Sequence, residues 1–373
     1  MPIVQKRSFN ILFRKEQDLI TEGINLDRLS QYPRELVMEF CQQGLLKQVF
    51  PPKLGGFGGS LMNFHKQICW LAAAYPSLAC IFLTQFSFGA WPLFKFATPD
   101  QQKKFFPGVL SGKTMMTLAL CESSLGTELH QINTFSQARQ NGWSLSGEKK
   151  VVLNATEADY FLIVSKLPKA ENDPNRLGIF IVPKDRQGLV IDPPLLKNGL
   201  ASFPIANLQL VDVKVSEVDL LGGVIAGTSQ LQEIINQHRL IAATLNLGIA
   251  TGVYNLAVNY ATQERKFGLK IIAHQTIQND LIEYGIQLDA AKALLREDIR
   301  STEANPSIEI SKINLMTANL AMLILSSLTK FTGSYGFMYN HEIARFARDA
   351  ELTQHFGGSN QSHRERIIAP LLK

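Results

Sequence analysis

Apolar residues recur at helical spacing near both ends of the chain. The run from Arg34 to Leu45 mixes apolar and polar positions and has Gly44 near its end, which predicts a short helix. The segments 231–260 and 310–328 are also periodic, and the first, as a helix, is about 45 Å long. The clearest stripe has steps of four and three residues on one helix face: Ile277, Leu281, Tyr284, Leu288, Ala291 and Leu295.

From about Lys113 to residue 221 the pattern predicts strands. In the segment 208–215, valines at every second position alternate with Asp212 and Lys214, which is typical of a strand with one buried face. Regularly spaced short strands favour a small β-barrel or sandwich. Lys169–Arg176 is predicted to be a polar loop. Other β-prone runs are Met115–Leu120, Trp143–Leu145, Lys150–Leu153, Tyr160–Val164, Gly178–Val182 and Leu189–Ile191.

These patterns divide the chain into three predicted domains. Residues 1–112 form a helical domain, 113–222 a β-domain and 223–373 a second helical domain. The fold class is therefore α+β and multidomain, with a C-terminal four-helix bundle. The prolines and glycines of PPKLGGFGGS (51–60) predict a loop within the first domain.

One uncharged stretch has to be assigned either to a membrane or to the core. No charged residue occurs between Gln67 and Phe94, but Pro76 and Pro92 interrupt the stretch and polar residues are scattered through it. A spanning helix needs about 20 predominantly apolar residues, so we expect buried core helices and no membrane span. The N-terminal MPIVQKRSFN has no apolar signal region. A soluble, cytoplasmic protein is expected.

Composition excludes several classes of function. With 46% hydrophobic and 18% charged residues over 373 positions, the chain can form large cores. The net charge of +5 is too weak to indicate nucleic-acid binding. The cysteines form no CxxC pair, which favours a reducing compartment and free thiols; they are Cys41, Cys69, Cys80 and Cys121.

Common catalytic motifs are also missing from the sequence. His355 and His363 lack the spacing of a metal site, so no metal is expected, and no GxSxG, P-loop or GxGxxG occurs. The segment FGGSNQ (356–361) allows two interpretations. It is either an ordinary turn between helices, or a place where the glycine backbone comes close to a phosphate or ribose.

Six segments, in order over nearly the whole chain, resemble the acyl-CoA dehydrogenase family. They are LCESSLGTE (120–128), GEKKVVLNATEADYFLIV (147–164), VDLLGG (218–223), QERKFGLKIIAHQTIQ (263–278), TGSYGF (332–337) and RFARDAELTQHFGGSNQSHRER (345–366). The resemblance implies FAD at a subunit interface of a homodimer or homotetramer. It also implies an acyl thioester whose α-proton is taken by a glutamate while the β-hydride goes to the flavin.

Both usual glutamates are missing from this chain. In the alignment that the resemblance gives, one falls on Gly357 and the other on His238, which precedes Arg239. His238 is therefore either a replacement base, with an imidazole pKa near ~6.5, or a packed histidine. Arg239 either supports the active site or forms an ion pair elsewhere. The resemblance implies that the backbone N–H of Gly357 still donates to the thioester carbonyl. His355 and His363, beside this loop, are expected at a subunit contact.

The positions that the resemblance assigns to flavin binding are partly altered. Arg265, one residue from the family arginine, is expected to reach the pyrophosphate bound to the neighbouring subunit. Changed positions are Cys121, Val151, Leu153, Lys330 and Ser334. Kept or conservatively replaced positions are Thr127, Phe267, Gln275, Gly333, Gly358, Ser359 and Gln361.

Three functions remain open from the sequence. The first is an α,β-dehydrogenase of acyl-CoA or acyl-carrier-protein thioesters with an unusual base. The second is a flavin monooxygenase or oxidase, and the third a family member that only binds. Asn236, often acidic in relatives that use CoA, favours a carrier-protein substrate from a biosynthetic pathway. An electron-transfer flavoprotein or a flavin reductase is the expected redox partner.

Overall fold

The computed structural model describes residues 15–123, 132–168, 176–263, 265–266, 268–300, 307–339 and 341–372. The first region is helical, as predicted. Local sequence sets its helix starts: Ser60 caps α3, and Thr98 forms a reciprocal capping box with Gln101 at the start of α6. Its helices are α1 (Glu16–Arg28), α2 (Arg34–Gln42), α3 (Leu61–Ala74), α4 (Pro76–Gln85), α5 (Trp91–Phe96) and α6 (Pro99–Ser111).

The uncharged stretch forms α3, α4 and most of α5, with a π-helical turn at Phe86–Ala90 between the last two. By length and hydropathy, three helical segments of the chain could cross a bilayer: Pro76–Phe96, Gly227–Gln263 and Ile308–Lys330. In the first, 89% of the most apolar window is buried inside the protein. Its apolar side chains therefore pack against the chain itself, around an aromatic cluster that includes Phe50, Phe64 and Phe86.

The middle region contains a seven-stranded sheet. Its strands are β1 (Met116–Ala119), β2 (Phe135–Arg139), β3 (Gly142–Leu153), β4 (Tyr160–Lys166), β5 (Leu177–Pro183), β6 (Leu189–Ile191) and β7 (Ile205–Val215). The neighbour order is β1-β4-β2-β3-β7-β6, with β5 paired to β4. Most pairs are antiparallel, while β4 pairs in parallel with both β1 and β2.

Two strand expectations are wrong. The separate runs predicted at 143–145 and 150–153 are the two ends of one strand, β3, because its pairing with β7 continues through the polar residues between them. Strand β2 was missed, since Ser136 is the only buried residue in the exposed run Phe135–Arg139. β2 is defined by its backbone hydrogen bonds to β3. Because these bonds involve no side chains, the hydrophobic pattern of the sequence does not reveal the strand.

The C-terminal region is helical. Its helices are α7 (Gly227–Gln263), α8 (Gln275–Arg300), α9 (Ser307–Thr332), α10 (Glu342–Thr353) and α11 (Asn360–Ile368). The stripe on α8 is buried from Leu281 to Leu295, and Ile277 is half-buried. Between α7 and α8 lie the two-residue strands β8 (Arg265–Lys266) and β9 (Leu269–Lys270). This helix–sheet–helix order confirms the predicted fold class.

Buried polar contacts join the first and last regions to the end of the sheet. Asp27 on α1 pairs with Arg348 on α10 at 3.1 Å and accepts a hydrogen bond from the backbone N–H of Ala201. Asp349 accepts from the N–H of Leu200 at 2.6 Å. These contacts therefore link the three regions at one place.

Candidate active site

A cavity of about 350 Å³ lies where the three regions meet. It is mostly apolar, with a few polar groups, as is usual for small-molecule sites. One wall comes from β1 and β3, a second from α7, and a third from the turn between α10 and α11. Phe88, in the π-helical turn, completes it. The polar or titratable side chains among its lining residues are Cys121, Lys150, His238, His355 and Ser359.

The sheet wall contains three of the residues predicted to contact the flavin ring. Cys121 follows β1, while Val151 and Leu153 lie at the end of β3, and all three line the cavity. Burial raises the pKa of the Cys121 thiol, so the thiol is neutral at physiological pH. Lys150 lines the same wall and was not singled out from the sequence. The strand alternation of the sequence places residues 150 and 151 on opposite faces.

His238 lies on α7 and lines the cavity with only 8% of its surface exposed. Its ring stacks on Phe88, with centroids 4.5 Å apart and planes 24° apart. Burial, together with the positive charge of Arg239, lowers the pKa of His238 to about 3. Nδ1 is buried and has no hydrogen-bond partner among the described residues. The expected pKa near the ordinary histidine value is therefore wrong, because burial and the charge of Arg239 both disfavour the protonated ring.

Arg239 holds the turn between α10 and α11 from behind. It is 2% exposed, and its Nε donates to the carbonyl of Gly357 at 3.1 Å while Nη1 donates to Asn236 Oδ1 at 3.0 Å. Burial lowers the pKa of Arg239 to about 9. In the described part of the chain no carboxylate pairs with it, so the geometry favours the site-supporting role over the ion pair.

Gly357 lines the cavity in a conformation that excludes most side chains. Its φ is +73°, and a Cβ there would lie 3.0 Å from Ala242 Cβ and 3.2 Å from Arg239 Cα. A side chain at this position therefore meets the backbone of α7. A glutamate fits here only if the turn moves away from the helix.

Gly358 and Ser359 continue this turn and also line the cavity. Gly358 has φ +125°, and a Cβ there would lie 2.7 Å from Ser362 Oγ. Ser359 caps α11 by accepting from the backbone N–H of Ser362 at 3.2 Å. FGGSNQ is thus a turn between helices whose backbone borders a cavity, and its approach to a phosphate or ribose stays a prediction.

The two histidines beside the turn differ in position. His355 is exposed and lines the cavity, a placement that the sequence did not predict. His363 is 1% exposed behind the turn, and burial lowers its pKa to about 4. The backbone of Gly358 in the turn partly opposes this shift. Within those residues no group of three metal-ligating side chains gathers; the expected absence of a metal stays a prediction.

The remaining predicted flavin residues do not line this cavity. They are exposed on the helical region: Gln275, Lys330, Gly333, Ser334 and Gln361. Of Arg265 only the backbone, in β8, is described. Thr127 and Phe267 lie outside the described residues. The structure therefore separates the predicted residues into a cavity group and an exposed group, and their roles stay predictions.

The fold has a helical, a β and a second helical region that meet at one cavity, and comparisons with known protein families assign a domain to each region. Residues 16–113, 117–213 and 226–372 match, in order, the N-terminal, middle and C-terminal domain models of acyl-CoA dehydrogenase. The chain belongs to the acyl-CoA dehydrogenase family. The resemblance found in the sequence is confirmed.

Similar proteins match the chain over almost its full length. A probable acyl-CoA dehydrogenase, YngJ, of Bacillus subtilis is 25% identical over 98% of this chain and 100% of its own. Butyryl-CoA dehydrogenase from Megasphaera elsdenii has a similar structure, with a TM-score of 0.89 and 23% identity over 97% and 99% of the two chains. The prolyl acyl carrier protein oxidase AnaB gives 0.86 and 21% over 95% and 98%.

FAD is the cofactor of this family, and the cavity fits it. Leu153 and Val151 make the sheet wall apolar, which suits a ring system. At Gly358 a φ of +125° disfavours residues with a Cβ, and the N-terminus of α11 begins beside it at Ser359. Helix N-termini favour anionic groups such as a diphosphate. The residues that line the cavity would thus hold the ring of FAD against β1 and β3.

Proposed function

We propose that this protein is an FAD-dependent oxidoreductase that oxidises an acyl thioester between Cα and Cβ, with His238 as the proton acceptor. The observation that carries the proposal is the cavity itself. It joins the flavin-facing wall, a neutral imidazole and the glycine turn in one apolar space. An acyl chain fits such a space, since its surface is apolar except at the thioester.

In this reaction, Gly357 and Arg239 act on the thioester carbonyl and His238 acts on the α-proton. Gly357, held by Arg239, presents its backbone N–H to the thioester carbonyl and stabilises the charge that develops on the oxygen. This lowers the pKa of the α-carbon. His238, neutral because of its burial, accepts the α-proton. When bound, FAD supplies the acceptor for the hydride from Cβ.

The low pKa of His238 sets the pH dependence of this reaction. The proton-accepting form is the neutral imidazole, which is already complete well above pH 3. Flavin reduction should therefore show no rise caused by this group between pH 5 and 8. A histidine with an ordinary pKa would give a rise through about pH 6.5.

The test is anaerobic mixing of the FAD-loaded protein with acyl thioesters of increasing chain length, on CoA and on acyl carrier protein. Flavin bleaching measures the reaction. His238→Phe keeps a ring against Phe88 and removes both nitrogens; it should slow bleaching at least ~10²-fold with unchanged FAD content. His355→Phe, the other imidazole of the cavity, should react like the natural protein. The opposite pattern would assign the base to His355.

A flavin oxidase or monooxygenase is the second candidate, and one observation favours it. His238 is a weak base with no partner to orient Nδ1 among the described residues, whereas catalytic histidines usually have one. Reactions that need no α-proton base do not require it. Failure of every thioester to bleach the flavin, combined with oxygen consumption driven by a flavin reductase, would support this candidate.

The partners follow from the same proposal. We propose a cytoplasmic homodimer or homotetramer, since the exposed group of flavin residues can complete a site on a neighbouring subunit. The thioester carrier is CoA or an acyl carrier protein; AnaB, whose structure is similar, is described as an acyl carrier protein oxidase. An electron-transfer flavoprotein or flavin reductase completes the redox cycle.

A further inference from the structure

Lys150 reaches the flavin-facing wall through an irregularity in β3. The register of β3 with β7 passes from Lys149 opposite Leu208 to Val152 opposite Ala206, so β3 has one extra residue there. Val151 has φ +53°. Such a bulge redirects side chains. As a result the consecutive residues 150 and 151 both line the cavity, although a regular strand would place them on opposite faces.

The two adjacent lysines of β3 have different surroundings. Lys149 is fully buried, and its Nζ pairs with Glu122 at 2.7 Å and donates to the Leu120 carbonyl at 3.2 Å. The positive charge of Lys149 is therefore paired inside the β-domain. The side chain of Lys150 is 28% exposed, and its Nζ pairs with Glu148 at 2.9 Å. The Glu148 carboxylate also accepts a hydrogen bond from Ser123.

We propose that Lys150 is a flavin-tuning residue, whose ammonium stabilises the negative charge that the bound ring gains on reduction, and that Glu148 limits this effect. Reduction by two electrons with uptake of one proton leaves one negative charge on the ring. A nearby cation favours that state, and charges beside the ring are a recognised means of tuning flavins. The inference rests on FAD binding at the sheet wall and not on the substrate proposed above.

The experiment is a reductive titration of the FAD-loaded protein against a reference dye, without any acyl thioester. Lys150→Met should lower the ratio of reduced to oxidised flavin about tenfold at a fixed potential, which for two electrons corresponds to about 30 mV. Lys150→Arg keeps the charge and should keep the ratio. Glu148→Gln removes the counter-charge and should raise the ratio.

Sulfite affinity gives a second measurement. Sulfite adds to the oxidised ring and leaves a negative charge on it, so its Kd should rise about tenfold in Lys150→Met and fall in Glu148→Gln. Lys103→Met, an exposed lysine on α6 away from the cavity, is the control and should change neither value.

Unchanged potentials in both Lys150→Met and Glu148→Gln would overturn the proposal and leave Lys150 as an ion-pair residue of the sheet. If Lys150→Met loses FAD, its potential cannot be measured. The proposal is then tested by Glu148→Gln, whose potential should rise, and by Lys150→Arg, whose potential should stay unchanged. Because no substrate is added, a failed dehydrogenase assay leaves this result unaffected, and the two proposals fail separately.

Discussion

Gly357 combines two structural demands at one residue. Its positive φ strains any residue with a Cβ, and the Cβ itself would press on α7 at Ala242 and Arg239. Gly55 has a similar φ of +82° but no atom within 4 Å of the same position. The two glycines therefore separate the cost of conformation from the cost of packing.

We predict that Gly357→Ala destabilises the protein clearly more than Gly55→Ala. The Gly55 variant should lose about 1 kcal/mol through backbone strain alone. The Gly357 variant should lose a further ~1–3 kcal/mol because a packed helix has to move. Urea unfolding of both variants measures the difference. Equal losses would mean that the turn relaxes freely, in which case a glutamate could also be accommodated at 357.

Among elements, the first strands of the sheet depend on one buried ion pair. Lys149 and Glu122 join β3 to the end of β1, and Glu122 also accepts from the backbone N–H groups of Asn133 and Thr134 at 2.6 and 3.0 Å. Burial by itself would raise the pKa of Glu122. The positive charge of Lys149 and the hydrogen bonds to the carboxylate outweigh burial and lower it. Removal of the lysine leaves that carboxylate buried without its cation.

Lys149→Met should therefore cost about 3–5 kcal/mol in the free energy of unfolding. The double variant Lys149→Met with Glu122→Gln should recover part of this loss, because it removes the unpaired buried charge. The recovery is only partial, since Asn133 and Thr134 donate to different oxygens of Glu122 and an amide keeps one of them. Denaturant unfolding of the two variants and of Lys150→Met provides the comparison. A small loss in Lys149→Met would show that water reaches the pair.

For the whole molecule, burial of neutral histidines sets the response to acid. Burial lowers the pKa of His65 and His238 to about 3 and that of His363 to about 4. Unfolded, these residues titrate near ~6.5. Between these values the unfolded chain binds more protons than the folded one, so their effect is to lower stability as the pH falls from about 6.5 towards 4.

His65→Phe should reduce this acid sensitivity. His65 contacts Thr244 between α3 and α7, well inside the first and last regions. Without its titration, the free energy of unfolding should fall less on acidification, by up to about 1.4 kcal/mol per pH unit below pH 6. Urea unfolding at pH 7 and pH 5 measures both slopes. Parallel slopes would show that water hydrates His65 in the folded protein.

The sequence by itself determined the order of the regions, the fold class, the family and the loss of both glutamates. Periodicity and motifs are local along the chain, and they record which positions are buried and which residue types occur. Cys121, Val151 and Leu153 were assigned to one site only through the family resemblance. Nothing in their spacing along the chain shows that β1 and β3 lie together.

Tertiary structure decided the rest. The bulge that brings Lys150 to the cavity is a matter of register between β3 and β7, which side-chain periodicity does not contain. The pKa of His238 depends mainly on its burial, which contacts with distant segments such as the one that contains Phe88 produce. A side chain at position 357 would press on α7, because the helix lies against the turn. Register and desolvation arise only when segments pack, so no local pattern specifies them.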